Sequence, residues 1–211
     1  MKNFTHNKKG FARRPLAEGF SIVEMLIAVS IITVVGLALG YFARNIFVYN
    51  SFVSAGLANA DAGRNILTVA AAEIRGATPA DTGAYTIDTA TATTFTFYSD
   101  IDNDGLKDRV RYFLSGTSFK KGVTKPSGSP LTYNSANEKL STLIYNVTGT
   151  SIFSYYDKNY DGTTAALPSP VDVSKIRLVK LTVTIDRDPN RSPIPMTFST
   201  QVSIRNLKDN L

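Results

Sequence analysis

Hydrophobic and polar residues follow two different patterns along this 211-residue chain. From Phe20 to about Arg75 the apolar residues recur at helical spacing, which predicts one long helix. The stretch GATPADTG that follows carries Gly76, Pro79 and Gly83, which are typical of the end of a helix. Beyond Gly83, short runs alternate between apolar and polar residues, and this pattern predicts β-strands.

Six short runs carry the strand pattern. In the first, Phe95 and Phe97 are expected on one face, and Thr96 and Tyr98 on the other. The last two are expected to pair with each other through the turn-rich DRDPNRSPIP. The runs are TTFTFYSD, RVRYFL, TLIYNV, SIFSYY, LVKLTVTID and MTFSTQVSI. Together with the helix they predict an α+β fold, in which the amphipathic half of a long N-terminal hydrophobic helix packs against an antiparallel sheet.

The first part of the predicted helix is strongly apolar. No charged residue occurs from Met25 to Ala43, a run of about 19 residues that is long enough to cross a bilayer as a helix. From Arg44 onward, polar residues are interspersed with apolar ones such as Leu67 and Ile74, so this half is expected to be amphipathic. The sequence therefore predicts a membrane-spanning half, followed by a half that packs on a folded domain.

The net charge of +6 is concentrated at the N-terminus. Five of the 23 basic residues lie before Gly19, against the single acid Glu18, and the rest of the chain has 18 basic and 16 acidic residues. Basic residues before a membrane span are retained on the cytoplasmic side, so the C-terminal domain is predicted to be extracytoplasmic. Because no stripe of basic and aromatic residues occurs, we predict no direct binding to nucleic acid. A secretory signal peptide or plain signal anchor is the competing interpretation, with LALG at 37–40 as its cleavage site.

Glu24 stands at the start of the apolar run. A charged side chain within hydrocarbon costs roughly 2.5 to 3.5 kcal/mol on insertion scales. An ordinary signal peptide has no use for such a residue. We therefore expect Glu24 to have a partner or a function.

A short basic leader is followed by Gly19, Phe20 and Glu24 and then by a long apolar helix. This arrangement resembles the N-terminal signature of type IV pilins and of the pseudopilins of type II secretion systems. The similarity is greatest from Pro15 to Leu39. The resemblance implies that a prepilin peptidase cleaves between Gly19 and Phe20 and methylates the new amine of Phe20. It also implies that Glu24 pairs with the terminal amine of a neighbouring subunit during assembly.

The resemblance further implies a division of the chain and a set of partners. Residues 1–19 would be the cleaved leader, 20–43 the membrane and filament-core half of the helix, 44–76 its amphipathic half, and 77–211 the extracytoplasmic β-rich domain. The helix would lie in membrane lipid before assembly, and would then contact other pilin or pseudopilin subunits at the inner-membrane assembly platform. The expected location is a single-pass membrane protein that becomes part of a periplasmic or cell-surface filament. The layout of the domain resembles minor pilins and minor pseudopilins more than a major subunit.

Gly36 and Gly40 lie within the apolar half, where each weakens the helix by about 1 kcal/mol relative to alanine. Two interpretations remain open. The glycines would either allow the helix to loosen locally during assembly or permit close packing against another helix.

Two acidic turns follow aromatic strands, YSDIDNDG at 98–105 and YYDKNYDG at 155–162. Positions one, three, five and nine of a calcium loop are occupied in the first turn by Asp100, Asp102, Asp104 and Asp108. Calcium is thus a candidate cofactor, although Arg111 stands where a bidentate glutamate would be at position twelve. The alternative is an acidic hairpin turn in which Asp and Gly satisfy the local backbone, and the second turn fits this alternative better.

The sequence contains no recognisable set of catalytic residues. The single histidine, His6, lies in the predicted leader, the chain has no cysteine, and no nucleophile elbow or phosphate-binding glycine loop occurs. We therefore predict that the chain is not an enzyme; the resemblance implies a structural subunit, with no cofactor other than the candidate calcium. The alternative function is a single-pass membrane-anchored extracytoplasmic binding or adhesin domain that is not polymerised and keeps its leader.

Overall fold

The computed structural model describes residues 19–186 and 195–207, and for residues 51–60 and 62 it describes the backbone alone. The predicted basic leader up to residue 18 and most of the turn DRDPNRSPIP therefore lie outside the described residues. The chain divides into two compact units, Met1–Ser51 and Phe52–Leu211.

Helix α1 comprises Ile22–Arg75, 54 residues in all, which confirms the predicted long helix. In the first unit nearly all of its described side chains are exposed. The serine and threonine hydroxyl groups among them bond to their own helix. Ser30 Oγ donates to the carbonyl of Ile27 at 2.7 Å, and Thr33 Oγ1 donates to that of Val29 at 2.7 Å. These groups therefore carry no unsatisfied hydrogen bond into an apolar environment.

In the second unit, the C-terminal part of α1 buries a single stripe of residues. They are Gly63, Leu67, Ala70, Ala71 and Ile74. Their spacing of three and four residues places them on one face of the helix, and this face belongs to the main hydrophobic core. The helix ends at Arg75, and the N–H of the following Gly76 donates to the carbonyl of Ala72 at 3.1 Å.

Five antiparallel strands in chain order form the first sheet. They are β1 Ile87–Ala90, β2 Thr94–Ser99, β3 Asp108–Ser115, β4 Ser118–Thr124 and β5 Lys139–Ile144. The sequence pattern predicted β2, β3 and β5. It missed β1, which has four residues, and β4, in which Lys120, Lys121 and Gly122 interrupt the apolar alternation.

The second sheet is built around β8. Its strands are β6 Val147–Thr148, β7 Phe153–Tyr156, β8 Leu178–Ile185 and β9 Met196–Ser203. Strand β9 pairs antiparallel along the whole of β8, as expected, while β6 and β7 pair with different parts of its other edge. Short 3-10 turns lie at Ser135–Asn137, Val173–Lys175 and Arg205–Leu207. The described residues thus form two antiparallel sheets, so the prediction of a single sheet was wrong.

The run TLIYNV explains part of this error. Its alternation predicted one strand, but Ile144 ends β5 in the first sheet and Val147 begins β6 in the second. Asn146, between them, has a φ of 58°, in the left-handed region that Asn tolerates better than most residues. This conformation interrupts the extended chain, which then enters the other sheet.

The core joins the helix to both sheets. Six aromatic rings from the two sheets form its centre, with centroids 5.3 to 6.4 Å apart between neighbours. They belong to Phe95, Phe97, Tyr112, Phe119, Phe153 and Tyr155. The hydroxyl of Tyr155 donates to the carbonyl of Thr91 at 2.7 Å, and burial raises the pKa of this phenol.

The second face of β2 is also covered. Phe95 and Phe97 face the core as expected, but Thr96 and Tyr98 on the opposite face are buried as well. The ring of Tyr98 lies 5.1 Å from that of Tyr133, which belongs to the segment between β4 and β5. This segment therefore covers Tyr98 on the outer face of the first sheet.

One polar contact fixes α1 to the first sheet. Glu73 accepts a hydrogen bond from the hydroxyl of Tyr112 at 2.7 Å and pairs with the ammonium group of Lys121 at 2.6 Å. The side chains of Glu73 and Lys121 are each only 15% exposed. Burial raises the pKa of Tyr112, and the Glu73 carboxylate raises it further, so this phenol remains a donor.

Candidate functional site

The N-terminal candidate site begins just before α1. Gly19 and Phe20 precede the helix, and Phe20 is 77% exposed. No other part of the described chain would contact a side chain placed at Gly19. Glu24 lies in the first turn of the helix and is exposed. The three predicted residues are thus accessible together at the beginning of α1.

Ser21 is a further residue of this site, which the sequence analysis missed. Its hydroxyl accepts a hydrogen bond from the N–H of Glu24 at 3.2 Å. A serine followed three residues later by glutamate is the spacing of a capping box, and this spacing was available in the sequence. Ser21 therefore satisfies one of the free N–H groups with which every helix begins.

Because Glu24 lies in the first turn, the helix dipole stabilises its carboxylate. This stabilisation is smaller than the cost of placing the charge in hydrocarbon. A carboxylate near a helix N-terminus gains about 0.3 to 1 kcal/mol from the helix dipole. Its cost in hydrocarbon is roughly 2.5 to 3.5 kcal/mol. Within residues 19–186 and 195–207, no ion pair includes Glu24. If this helix lies in hydrocarbon, a cation from outside the described residues would be needed to balance the carboxylate.

The helix that starts at this site has the length and composition of a membrane span. Its segment Ile22–Asn50 has a mean hydropathy of 2.6, and none of its most apolar part is buried. Within the described residues, this is the one helix with these properties. A single-pass anchor is therefore compatible with the structure.

The second candidate site is the loop between β2 and β3. Asp100, Asp102 and Asp104 each present a carboxylate oxygen within 4.8 Å of the other two. The N–H of Gly105 donates to Asp100 Oδ2 at 3.1 Å, and Gly105 has a φ of 90°, which favours glycine. The loop therefore turns its first three acidic side chains towards one another.

Two lysines compensate part of this charge. The ammonium group of Lys125, which directly follows β4, contacts Asp102 and lies 2.8 Å from Asp104. The ammonium group of Lys107 lies 3.8 Å from Asp100. Hydrogen bonding to Asp102 and Asp104 raises the pKa of Lys125. Lys125, which lies outside the acidic motif, thus links this loop to the end of β4.

Asp108, the fourth predicted ligand, is placed differently. It is not in the group of three; it begins β3 and is only 1% exposed. Its Oδ2 has no hydrogen-bond partner in the described structure. Burial raises the pKa of Asp108 to about 6, with a further contribution from the charge of Asp102. Asp108 is therefore a buried acid beside an exposed acidic cluster.

The second acidic turn has no comparable cluster among the described residues. Asp157 accepts from the N–H of Asn159 at 2.9 Å. Asp161 Oδ1 accepts from the backbone N–H groups of Thr163 and Thr164, both at 2.9 Å, and these bonds lower its pKa. Each carboxylate is used by the local backbone, as expected for an acidic turn.

The chain matches no known protein-family model, and a search of curated proteins finds no similar sequence.

Proposed function

We propose that this chain is a structural subunit of a type IV pilus or a type II secretion-type filament, of the minor pilin or minor pseudopilin kind. A prepilin peptidase would cleave it between Gly19 and Phe20. The mature chain would then enter a filament through α1. The observation that carries this proposal is Glu24, an exposed acid without an ionic partner in the described chain, at the start of an apolar helix surface.

The apolar surface of α1 supports the proposal in a second way. From Ile22 to Asn50 its apolar side chains are exposed on all sides. Such a surface needs an apolar environment all round, which a bilayer supplies before assembly and the helices of other subunits supply afterwards. Because both environments are apolar, transfer between them need not cost much burial energy.

Charge pairing would favour one register of the docking subunit during assembly. Cleavage after Gly19 would create a cationic amine at Phe20, four residues from Glu24. Two opposite charges that meet in a low-dielectric environment avoid the desolvation penalty that each would suffer alone. A docking subunit would therefore be favoured in the register that brings its amine to the Glu24 of its neighbour.

The first experiment determines the N-terminus of the native protein by mass spectrometry and N-terminal sequencing. We expect a chain that begins at Phe20, with a methylated amine. A chain that begins at Met1 would contradict the proposal and would favour a membrane-anchored binding domain that keeps its leader.

The second experiment measures incorporation of a Glu24→Ala variant into filaments beside wild-type subunits. We expect normal membrane insertion and strongly reduced incorporation, because the amine of the incoming subunit loses its partner. Ser21→Ala is the matched control, since it removes the helix cap and keeps the carboxylate. Equal incorporation of the Glu24→Ala variant and wild type would refute the pairing role.

A further inference from the structure

We propose that Arg44 and the aromatic side chains around it bind the phosphate headgroups of one membrane leaflet, and that this contact fixes the depth of α1 in the bilayer. The aromatic side chains are those of Tyr41, Phe42, Phe47 and Tyr49. Glu24 would then lie at the boundary of the opposite leaflet. The inference rests on the membrane location in the proposed function, and it does not depend on cleavage or on filament assembly.

Two charged residues limit the uncharged part of α1. Glu24 stands directly before it and Arg44 directly after it, and both belong to the same uninterrupted helix. At a rise of about 1.5 Å per residue, the two positions lie about 30 Å apart along the helix axis, which equals the thickness of the hydrocarbon core of a typical bilayer. An upright helix therefore brings each charge to its own boundary. A shift by one helical turn, about 5 Å, would draw one of them into hydrocarbon.

The aromatic residues of this segment are confined to one end of it. From residue 22 to residue 40 the helix contains none, whereas four follow between residues 41 and 49. All four side chains are exposed, from 62% for Phe42 to 74% for Phe47. Aromatic rings such as that of tyrosine are enriched at the headgroup level of membranes, where the ring contacts lipid and the hydroxyl contacts water. Burial in a protein core would not require aromatic and aliphatic residues to be separated, so the pattern indicates a membrane boundary around Arg44.

Arg44 supplies the positive charge at this boundary. Its spacing of three residues from Tyr41 and from Phe47 places it between them on one face of the helix. Within the described chain, no ion pair includes Arg44. A guanidinium group presents its N–H donors in a planar fork that matches the oxygen atoms of a phosphate, and its long side chain reaches from the hydrocarbon boundary to the headgroups. A lipid phosphate is thus the partner that fits this position.

The length of the segment agrees with this placement. Ile22–Asn50 has 29 residues, or about 43 Å of helix, close to the roughly 40 to 45 Å of a bilayer with its headgroup layers. Residues 46–49, which follow Arg44 and are still apolar, then lie in the headgroup layer. At the other boundary Glu24 stays hydrated. It requires the cation of a neighbouring chain only when entry into a filament removes this water.

Single tryptophans measure the depth of α1, because the chain contains no tryptophan of its own. The full chain with Val34→Trp or Phe47→Trp is reconstituted into phosphatidylglycerol vesicles, whose acyl chains carry bromine either near the headgroup or near the bilayer centre. Val34 lies midway between Glu24 and Arg44, so a tryptophan there should be quenched mainly by the deep bromine. A tryptophan at position 47 should be quenched mainly by the shallow bromine. Far-UV circular dichroism verifies that each variant keeps its helix.

Removal of the guanidinium group tests its role directly. In the Phe47→Trp chain, a further Arg44→Leu change should raise quenching by the deep bromine about twofold or more, because no charge then holds this end of the helix at the headgroups. Arg64→Leu in the same chain is the matched control and should leave the quenching unchanged, since it removes an exposed arginine much further along the chain. In vesicles of digalactosyl diacylglycerol, a lipid without phosphate, Arg44→Leu should have a clearly smaller effect.

Strong quenching of the Phe47→Trp variant by the deep bromine would overturn the inference. An unchanged depth after Arg44→Leu would also overturn it, and an equally large effect in the lipid without phosphate would exclude phosphate as the partner. If position 47 lies deep while the native chain begins at Phe20, the depth is wrong and the filament proposal stands. If neither bromine quenches either tryptophan, the helix does not enter the bilayer, and the proposed membrane location fails as well.

Discussion

Two segments of α1, Ile22–Asn50 and residues 63–75, share one helical backbone but distribute their apolar residues differently. In the first, apolar side chains surround the helix and are exposed, as Leu37 at 71% and Ile32 at 70% illustrate. In the second, the buried apolar residues form one stripe, where Leu67 and Ile74 are 4% and 0% exposed. The first segment therefore leaves its apolar surface exposed, whereas the second buries its apolar stripe against the two sheets.

Acidic residues show the same contrast. Glu73 in the second segment has two partners from the sheet, Tyr112 and Lys121. Glu24 in the first has no ionic partner among the described residues. Apolar content alone does not distinguish a membrane-spanning helix from a core helix. The distribution of the apolar residues around the helix and the partners of its acidic residues distinguish them. These two properties can be tested separately in the two segments.

The largest difference is expected from shortening an isoleucine in each segment. Ile74→Ala should lower the free energy of unfolding of the domain by about 2 to 5 kcal/mol, because it leaves a cavity in a closely packed core. Ile32→Ala, its matched control, should change this free energy by less than about 0.5 kcal/mol, because Ile32 is exposed. Urea denaturation of the full chain in micelles, followed by near-UV circular dichroism of Tyr112 and Tyr155, measures both. Equal changes in the free energy of unfolding for the two variants would contradict the difference between the segments.

A smaller difference is expected from neutralising the two glutamates. Glu73→Gln should cost about 1 to 3 kcal/mol of stability, because it leaves Lys121 as a mostly buried charge without a counter-ion. Glu24→Gln should leave the stability of the domain unchanged, because the carboxylate of Glu24 has no ionic partner there. The same denaturation experiment provides both values. Restoration of stability in a Glu73→Gln, Lys121→Met double variant would identify the unpaired lysine as the cause.

The sequence was sufficient to predict those elements whose periodicity is local. The long helix follows from its apolar spacing and the absence of proline, and β8 and β9 follow from strict alternation. Strand β4 could not be predicted in this way, because Lys121 is placed in the sheet by its contact with Glu73, 48 residues earlier in the chain. Separation into two sheets likewise depends on the left-handed backbone conformation of Asn146. The alternating pattern of the neighbouring residues gives no indication of this conformation.

The candidate sites show the same limit. Motif spacing identified Gly19, Phe20, Glu24 and the acidic loop, since each lies within a short stretch of chain. It could not show that Lys125, 21 residues from Asp104, closes the loop. Nor could it show that Asp108 is buried, because burial depends on the pairing of β3 with β2 and β4. Contacts between distant strands decide these features, and a pattern within one strand carries no information about them.

The smallest expected difference concerns two glycines of α1. A Cβ at Gly63 would lie 3.1 Å from two ring atoms of Phe198 in β9, whereas one at Gly36 would meet nothing within 4 Å. Glycine-to-alanine changes favour a helix by about 1 kcal/mol, so Gly36→Ala should strengthen its segment of helix without a steric cost. At Gly63 the close contact should outweigh this gain, with a net loss of about 1 kcal/mol from overpacking against the ring.

The contact between Gly63 and Phe198 can be isolated with a second change. Phe198→Leu removes the ring atoms that the new methyl group would approach, so the Gly63→Ala, Phe198→Leu double variant should lose less stability than the two single changes added together. Helix content by far-UV circular dichroism and urea denaturation measure both effects. A Gly63→Ala variant that is more stable than the wild type would mean that β9 moves aside easily. The second segment of α1 would then be held by its apolar stripe and Glu73 alone, and close approach of the backbone at Gly63 would contribute nothing to the difference between the segments.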